Sequence, residues 1–83
     1  MASKIEYKAS VFKDLKHIDK KAAKRVLDSL EKALSEDPNS GKPLHGQFKG
    51  LFKFVVGKYR VIYTKTNDGV LILKIRHREK VYK

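Results

Sequence analysis

The spacing of apolar residues divides the chain into a helical first half and a strand-forming second half. Apolar and charged residues alternate over 4–8, which predicts a short, half-buried strand. Apolar residues then recur at spacings of three and four over 11–18 and 23–34, which predicts two amphipathic helices. Ser10 and Asp19 are suited to cap these helices. Because few residues separate them, we expect the helices to form an antiparallel hairpin.

The second half of the chain changes to a period of two, which is typical of strands. The pattern predicts strands over 51–56 and 59–64, and a last strand from Val70 to about Arg78 that begins with an unbroken apolar run, 70–73. Gly57-Lys58 suits a turn, and Asn67-Asp68-Gly69 is a strong hairpin signal. The order β-α-α-β-β-β predicts an α+β fold, with the antiparallel two-helix hairpin packed on a mostly antiparallel four-stranded sheet. Residues 1–83 are expected to form a single domain.

The period of two also sorts side chains between the two faces of the predicted sheet. In the last strand, Leu71, Leu73 and Ile75 share an apolar face that would meet the helices. The opposite face would be partly apolar, through Ile62 and Ile72, but mainly cationic. If no β-bulge shifts the register, five basic side chains emerge together there: Lys53, Arg60, Lys74, Arg76 and Arg78.

The charge of the chain is concentrated in its second half. The net charge is +11, which favours polyanionic partners such as nucleic acid. Residues 1–38 hold 9 basic against 7 acidic residues, whereas 39–83 hold 11 against 2. Cysteine is absent and the three histidines are far apart, so we expect no disulfide, no metal site and no cofactor. We expect a cytoplasmic protein that does not bind membranes, because no stretch has the pattern of a signal peptide or membrane span.

Three segments together resemble one known family. They are LHGQFKG at 44–50, GKYRVIY at 57–63 and HREKVY at 77–82. With the predicted order of elements, they are similar to the RelE/ParE toxin superfamily across essentially the whole chain. The resemblance implies a toxin encoded beside an antitoxin that covers and neutralises it. Members of the RelE branch cleave messenger RNA in the ribosomal A site, whereas members of the ParE branch poison DNA gyrase.

The resemblance to the RelE branch implies roles for individual residues. Lys53 matches the catalytic lysine of the second strand, Arg60 the arginine after tyrosine on the third, and Arg78 the arginine ending the fourth. Tyr82 matches the C-terminal tyrosine, which would stack on or orient an RNA base. The chain departs from the best-known RelE toxins at Val55, where those proteins carry a second lysine.

These residues suit metal-free cleavage of RNA by its own 2′-hydroxyl group. The reaction needs a base, cations for the developing phosphorane charge and an acid for the leaving oxygen. A lysine among cations can act as the base, because neighbouring like charges disfavour its charged form. Histidine titrates near neutral pH, so His77 is a competing base, or the acid, beside Lys53. Further contacts with RNA are expected from Lys49, Lys58, Lys74 and Arg76.

The sequence therefore predicts the toxin of a type II toxin–antitoxin pair, acting as a ribosome-dependent endoribonuclease. Its expected partners are a cognate antitoxin, mRNA, and the ribosome with its rRNA. Two alternatives stay open. One is a ParE-like inhibitor of DNA gyrase, which would share the fold and the Tyr59-Arg60 strand. The other is a basic nucleic-acid-binding module with degraded catalysis, in which Val55 marks the loss of activity.

Overall fold

The structure, a computed structural model, describes residues 3–78 and confirms the predicted α+β fold. A single-turn 3-10 helix, Gly46–Phe48, lies in the loop that leads into the last three strands. In chain order the other elements are β1 (Lys4–Tyr7), α1 (Ala9–Lys16), α2 (Lys20–Glu36), β2 (Lys42–Pro43), β3 (Leu51–Val56), β4 (Tyr59–Lys65) and β5 (Gly69–His77).

The strands form one sheet in the order β1-β5-β4-β3-β2. Strand β1 runs parallel to β5, and the other neighbouring pairs are antiparallel, so the sheet is mostly antiparallel as predicted. The prediction of four strands missed β2, which consists of Lys42 and Pro43 and pairs with the middle of β3. A two-residue strand is too short to show an alternating pattern, so periodicity could not detect it.

The two helices begin in different ways. Asp19 caps α2 as predicted, since its carboxylate accepts hydrogen bonds from two backbone N–H groups of the first turn. The prediction that Ser10 caps α1 is wrong, because Lys8 occupies the N-cap position and makes no side-chain hydrogen bond there. The Lys8 N–H donates instead to the carbonyl oxygen of Ile72 on β5, at 2.9 Å. The sheet, rather than a capping side chain, therefore holds the start of α1.

The core lies between the helices and one face of the sheet. Its largest side chain is Tyr63, which is fully buried. The Tyr63 hydroxyl donates to the carbonyl oxygen of Pro38 and accepts from the N–H of Gly41, both at 2.9 Å. Burial raises the pKa of Tyr63 above its ordinary value. Within residues 3–78 the buried side chains are those of Val11, Val26, Leu30, Leu34, Val56, Val61, Tyr63, Val70, Ile72 and Ile75.

Strand β1 is attached to α2 as well as to β5. The hydroxyl of Tyr7 donates a hydrogen bond to the Glu31 carboxylate of α2 at 3.3 Å. Burial and the neighbouring Glu31 charge together raise the pKa of Tyr7 to about 12. Neither helix is both long and apolar enough to cross a lipid bilayer, as far as residues 3–78 show.

A β-bulge at Leu73 interrupts the register of β5. Ile62 on β4 pairs with Lys74, and the next residue, Tyr63, pairs with Ile72. Leu73 is therefore an extra residue on β5 with no partner on β4. Bulges of this kind bend the strand and increase its local twist.

The bulge changes which side chains of β5 face the helices. Val70, Ile72 and Ile75 are buried, whereas Leu71 and Leu73 are only half-buried. The prediction that Leu71, Leu73 and Ile75 share the helix-facing side, with Ile72 opposite, is therefore wrong. One extra residue inverts the alternation on one side of the bulge, because side chains in a strand repeat with a period of two. After the bulge the prediction is correct, since Ile75 faces the helices and Lys74 and Arg76 lie on the opposite face.

Candidate nucleic-acid interface

The far face of the sheet, which is turned away from the helices, carries basic side chains in two rows that cross three strands. In each row, residues of β3, β4 and β5 lie opposite one another, with neighbouring strands about 4.8 Å apart. Side chains in such a row stand on the same face and interact directly. The rows are Val55–Arg60–Arg76 and Lys53–Ile62–Lys74. Four of the five basic residues predicted to share this face therefore do so on β3, β4 and β5: Lys53, Arg60, Lys74 and Arg76.

A cationic groove of about 550 Å³ lies on the far face over β4 and β5. Its basic lining consists of Arg60, Lys74, Arg76 and Arg78. The remaining lining is mainly apolar and comes from Leu44, Phe48, Leu51, Ile62 and Leu73, together with His77. The groove thus offers apolar surface and positive charge side by side, which suits a ligand that has both an apolar and an anionic part.

A carboxylate of α1 holds the Arg76 side chain at the rim of the groove. Asp14 forms a salt bridge with the Arg76 guanidinium, and its other oxygen accepts a hydrogen bond from the N–H of Ile75 at 3.1 Å. The pairing of β1 with β5 ends at Ile72, so Asp14 takes the side of β5 that β1 has left. The Asp14 side chain is only 15% exposed, which makes this a firm anchor for the end of β5.

His77 ends β5 between two cavities. Its ring makes an edge-to-face contact with the ring of Tyr59, with centroids 5.2 Å apart. The cationic groove lies on one side of His77. On the other side is a cavity of about 310 Å³ between α1 and the sheet, which Asp14 and His17 also line. The structure thus brings His77 next to Arg76 and the groove, but orients its ring against Tyr59.

Arg78 and Lys58 meet where the β3–β4 turn approaches the end of β5. The Arg78 N–H donates to the Lys58 carbonyl oxygen at 2.7 Å, and the Arg78 side chain lines the groove. The Lys58 side chain is exposed on the turn, outside the groove lining. Lys49 is exposed directly after the 3-10 turn that carries the groove residue Phe48. Tyr82, predicted to contact an RNA base, lies outside the described residues.

Lys53 lies on the far face but outside the cationic groove. It is half-buried and lines a neighbouring depression of about 340 Å³, together with Ser40 and Lys42. Ile62 separates Lys53 from Lys74 within their shared row. The backbones of the two lysines are two strands, or roughly 10 Å, apart. Lys53 therefore lies at the edge of the site, on β3, which is the strand next to the groove residues Arg60 and Ile62 of β4.

Sequence reasoning missed two residues of the site, Asp14 and Phe48. An acid on the polar side of an amphipathic helix is ordinarily solvated, so nothing in the sequence distinguished Asp14 from its neighbours. Phe48 carried a usable signal, because it is a large apolar side chain in a glycine-containing loop, outside any periodic stretch. In the structure it is 50% exposed and lines the cationic groove, which places an apolar ring beside the basic side chains.

The family of the protein follows from comparison with known sequences. A family model described as the ParE toxin of the type II toxin–antitoxin system, parDE, matches residues 5–82. A comparison with curated proteins finds no match.

Solved structures with a similar fold include several toxin–antitoxin complexes. A chain of the RelBE2 complex from Mycobacterium tuberculosis is 26% identical, with 94% of this chain and 100% of that chain covered and a TM-score of 0.85. A chain of the archaeal RelE–RelB complex from Pyrococcus horikoshii is 27% identical, with 98% of this chain and 100% of that chain covered and a TM-score of 0.68. The DinJ–YafQ complex from E. coli is 21% identical over the whole of both chains with a TM-score of 0.62, which shows the fold alone. Because the family model spans nearly the whole sequence, the chain belongs to the ParE toxin family of type II toxin–antitoxin systems, within the RelE/ParE superfamily.

Proposed function

We propose that this toxin is an endoribonuclease that cleaves messenger RNA on the ribosome. The observation that carries the proposal is the cationic groove, in which Arg60, Arg76 and Arg78 line one cavity. Guanidinium groups bind phosphate oxygens through a planar, forked set of donors. Three guanidinium groups around one cavity suit a phosphodiester whose negative charge increases in the transition state.

In the proposed reaction, a general base removes the proton of the RNA 2′-hydroxyl, and that oxygen attacks the adjacent phosphorus. The bond between phosphorus and O5′ then breaks, and the leaving oxygen takes up a proton. The products are a 2′,3′-cyclic phosphate and a 5′-hydroxyl, with no change in oxidation state. The arginines would offset the charge of the phosphorane. Asp14 already holds Arg76, so little reorganisation would be needed at that side chain.

We assign the role of general base to Lys53 and a binding role to His77. Lys53 projects from the far face, in the row that ends at Lys74 beside the groove. An ammonium group can lose its proton and then accept one from the 2′-hydroxyl, whereas a guanidinium stays protonated. The His77 ring packs edge-on against Tyr59, which restricts its movement toward a substrate on the far face.

The proposed dependence of cleavage on the ribosome has a physical reason. In the part of the chain that the structure describes, no carboxylate lines the cationic groove. With no carboxylate acid–base pair among its described residues, the site gains much from a substrate that is already held in reactive geometry. Messenger RNA in the ribosomal A site is held in this way, whereas free RNA is flexible.

A cognate antitoxin is the proposed protein partner. The similar structures from Mycobacterium tuberculosis and Pyrococcus horikoshii are both complexes of a toxin with an antitoxin. An acidic amphipathic segment would complement the charge of the far face and the apolar part of the groove. Such a segment would also exclude RNA from the same surface.

Primer extension on a defined message in a reconstituted translation system tests the proposed activity. We expect cuts within the A-site codon when ribosomes are present and little cleavage of the same message without them. Arg60→Ala and Arg78→Ala should abolish the cuts, whereas Lys32→Ala, on the exposed side of α2, should leave them unchanged. Equal cleavage of free RNA at physiological salt would contradict the dependence on the ribosome.

Inhibition of DNA gyrase is the second candidate function, and the family model that carries the ParE description favours it. A supercoiling assay with purified gyrase distinguishes the two activities. Inhibition that survives Lys53→Ala and Arg78→Ala, together with intact messages in the translation assay, would favour gyrase as the target. If both assays were negative but RNA still bound, the binding module without catalysis would be the remaining function.

A further inference from the structure

Phe48 is a large apolar side chain on the surface of the molecule, in the loop that precedes β3. It ends the 3-10 turn before β3, and half of its side chain is exposed. It lies outside the hydrophobic core, yet it lines the cationic groove with Leu44 and Leu51. The exposed half of the ring gains nothing in the isolated chain, because that hydrophobic surface remains in water. Its position is explained if the ring covers part of a ligand.

The lining of the groove indicates the chemistry of that ligand. Its basic side chains require an anion, and guanidinium groups suit phosphate oxygens in particular. The exposed aromatic ring suits a flat, aromatic partner that can stack on it. A nucleotide has both parts, since an aromatic base and a phosphate are joined through a sugar. At about 550 Å³ the groove is in the size range of small-ligand sites.

We propose that Phe48 is the stacking platform for one base of single-stranded RNA, whose phosphate is held by the arginines of the same groove. Since the ligand is RNA, this assignment rests on the proposed function, but it requires neither cleavage nor the ribosome. Stacking on an aromatic side chain accepts any base, so Phe48 contributes affinity without strong base preference. Lys49, the next residue, is exposed beside it and can meet the neighbouring phosphate.

Binding of short RNA analogues tests the assignment directly. The probe is a trinucleotide with 2′-O-methyl sugars, which has no nucleophile and stays intact, and a second probe carries an abasic site in the middle. Phe48→Leu keeps an apolar side chain of similar size but removes the aromatic face. We expect it to weaken binding of the full trinucleotide roughly 5- to 150-fold, and to change binding of the abasic probe less than about twofold.

Phe12 provides a matched control within the same chain. It is 55% exposed on α1, where its ring lies 6.5 Å from that of Tyr7, and it does not line the groove. Phe12→Leu should therefore leave the affinity for both probes unchanged. Phe48→Tyr keeps the aromatic face and should bind within about threefold of wild type. Thermal unfolding of all variants identifies any loss of affinity that comes from a disturbed fold.

Three outcomes would overturn the assignment. In the first, Phe48→Leu weakens binding of the full and abasic probes equally, so that stacking is not involved. In the second, wild type binds neither probe, so that the groove is not an RNA site. In the third, Phe48→Leu spares RNA and weakens only the binding of an acidic amphipathic peptide, so that the groove docks protein. A toxin that binds the probes as expected but cuts no message would leave Phe48 assigned and reject the proposed cleavage.

Discussion

Lys53 and His77 approach the cationic groove from different strands, and a single substitution separates charge from proton transfer. Lys53→Arg keeps the positive charge on β3 but replaces an ammonium group, which can lose its proton, with a guanidinium that stays protonated. We expect this change to lower the single-turnover rate of message cleavage on ribosomes at least about 100-fold, because general-base catalysis contributes on that scale. His77→Phe should lower it less than about tenfold.

Lys42→Arg is the matched control for Lys53, because Lys42 pairs with it across β2 and β3 and lines the same depression. It should cleave at the wild-type rate. If Lys53→Arg also cleaved normally, Lys53 would contribute only charge, and the base would have to be sought elsewhere.

The hydroxyl of the buried Tyr63 makes two hydrogen bonds to the backbone of the loop that follows α2. Tyr63→Phe keeps the packing but leaves the Pro38 carbonyl and the Gly41 N–H without their partner. We expect the free energy of unfolding in urea to fall by about 1–3 kcal/mol, which is the usual cost of an unsatisfied buried group. Tyr7→Phe removes a more exposed hydroxyl and should cost less than about 0.5 kcal/mol. Equal losses in the two variants would contradict this account of the Tyr63 hydroxyl.

At the scale of elements, the attachment of β1 depends on one glycine. Gly69 pairs with Lys4 in the parallel ladder, and a Cβ at position 69 would lie 2.5 Å from the Lys4 nitrogen and closer still to its carbonyl oxygen. Both obstacles are backbone atoms, so they cannot move aside without separating the strands. We expect Gly69→Ala to cost about 3 kcal/mol or more in the free energy of unfolding.

Gly46→Ala is the comparison for Gly69→Ala. Gly46 has a φ of 67°, but nothing lies within 4 Å of its added Cβ, so only backbone strain would result. A cost of about 1–2 kcal/mol is expected there. Amide hydrogen exchange should show lost protection along β1 in the Gly69 variant alone. Retained protection of β1 would mean that the sheet adjusts to the extra atom.

Most elements were predictable from the sequence because their signals are local. Alternation located β3 and β4, and the Asn67-Asp68-Gly69 turn located the last hairpin. Asp19 was recognised as a cap because it is a preferred capping residue type directly before an apolar repeat. Ser10 had the same signal and failed, because the Lys8 backbone bond to β5 starts α1 earlier. That contact joins distant parts of the chain, and no local pattern encodes it.

At the scale of the whole molecule, the excess of positive charge should govern RNA binding. Each phosphate contact releases counterions, so the logarithm of the binding constant falls linearly with the logarithm of salt concentration. Arg60→Ala and Arg78→Ala should each reduce the magnitude of that slope by about 0.7, the increment expected for single strands. The measurement is fluorescence anisotropy of a labelled 2′-O-methyl oligonucleotide across a salt series.

Lys32→Ala removes the same charge from α2, on the other side of the molecule from the groove, and serves as the control. Its slope should equal that of wild type. Equal reductions in all three variants would mean that RNA responds to the total charge of the chain and not to the groove.

The sequence predicts the location of the site more completely than the contacts that build it. The period of two along the strands predicts that Arg60, Lys74 and Arg76 lie on one face of the sheet. The structure confirms that these residues lie together. The contribution of Asp14 was not predictable, because it requires α1 to reach the side of β5 that β1 leaves open. Lys53 lies beside the groove rather than within it, with Ile62 between it and Lys74. That arrangement depends on how the strands pair, which the alternation within one strand does not specify.

The bulge at Leu73 has a consequence for how this chain is aligned with its relatives. Because Leu73 is the extra residue, a chain without it would still turn Val70, Ile72 and Ile75 inward and keep Lys74 outward. Removal of one residue elsewhere in β5 would exchange the two faces of a whole segment. Length differences between family members in this strand should therefore collect at this position. An alignment that places the gap elsewhere would match basic residues of one toxin with core residues of another.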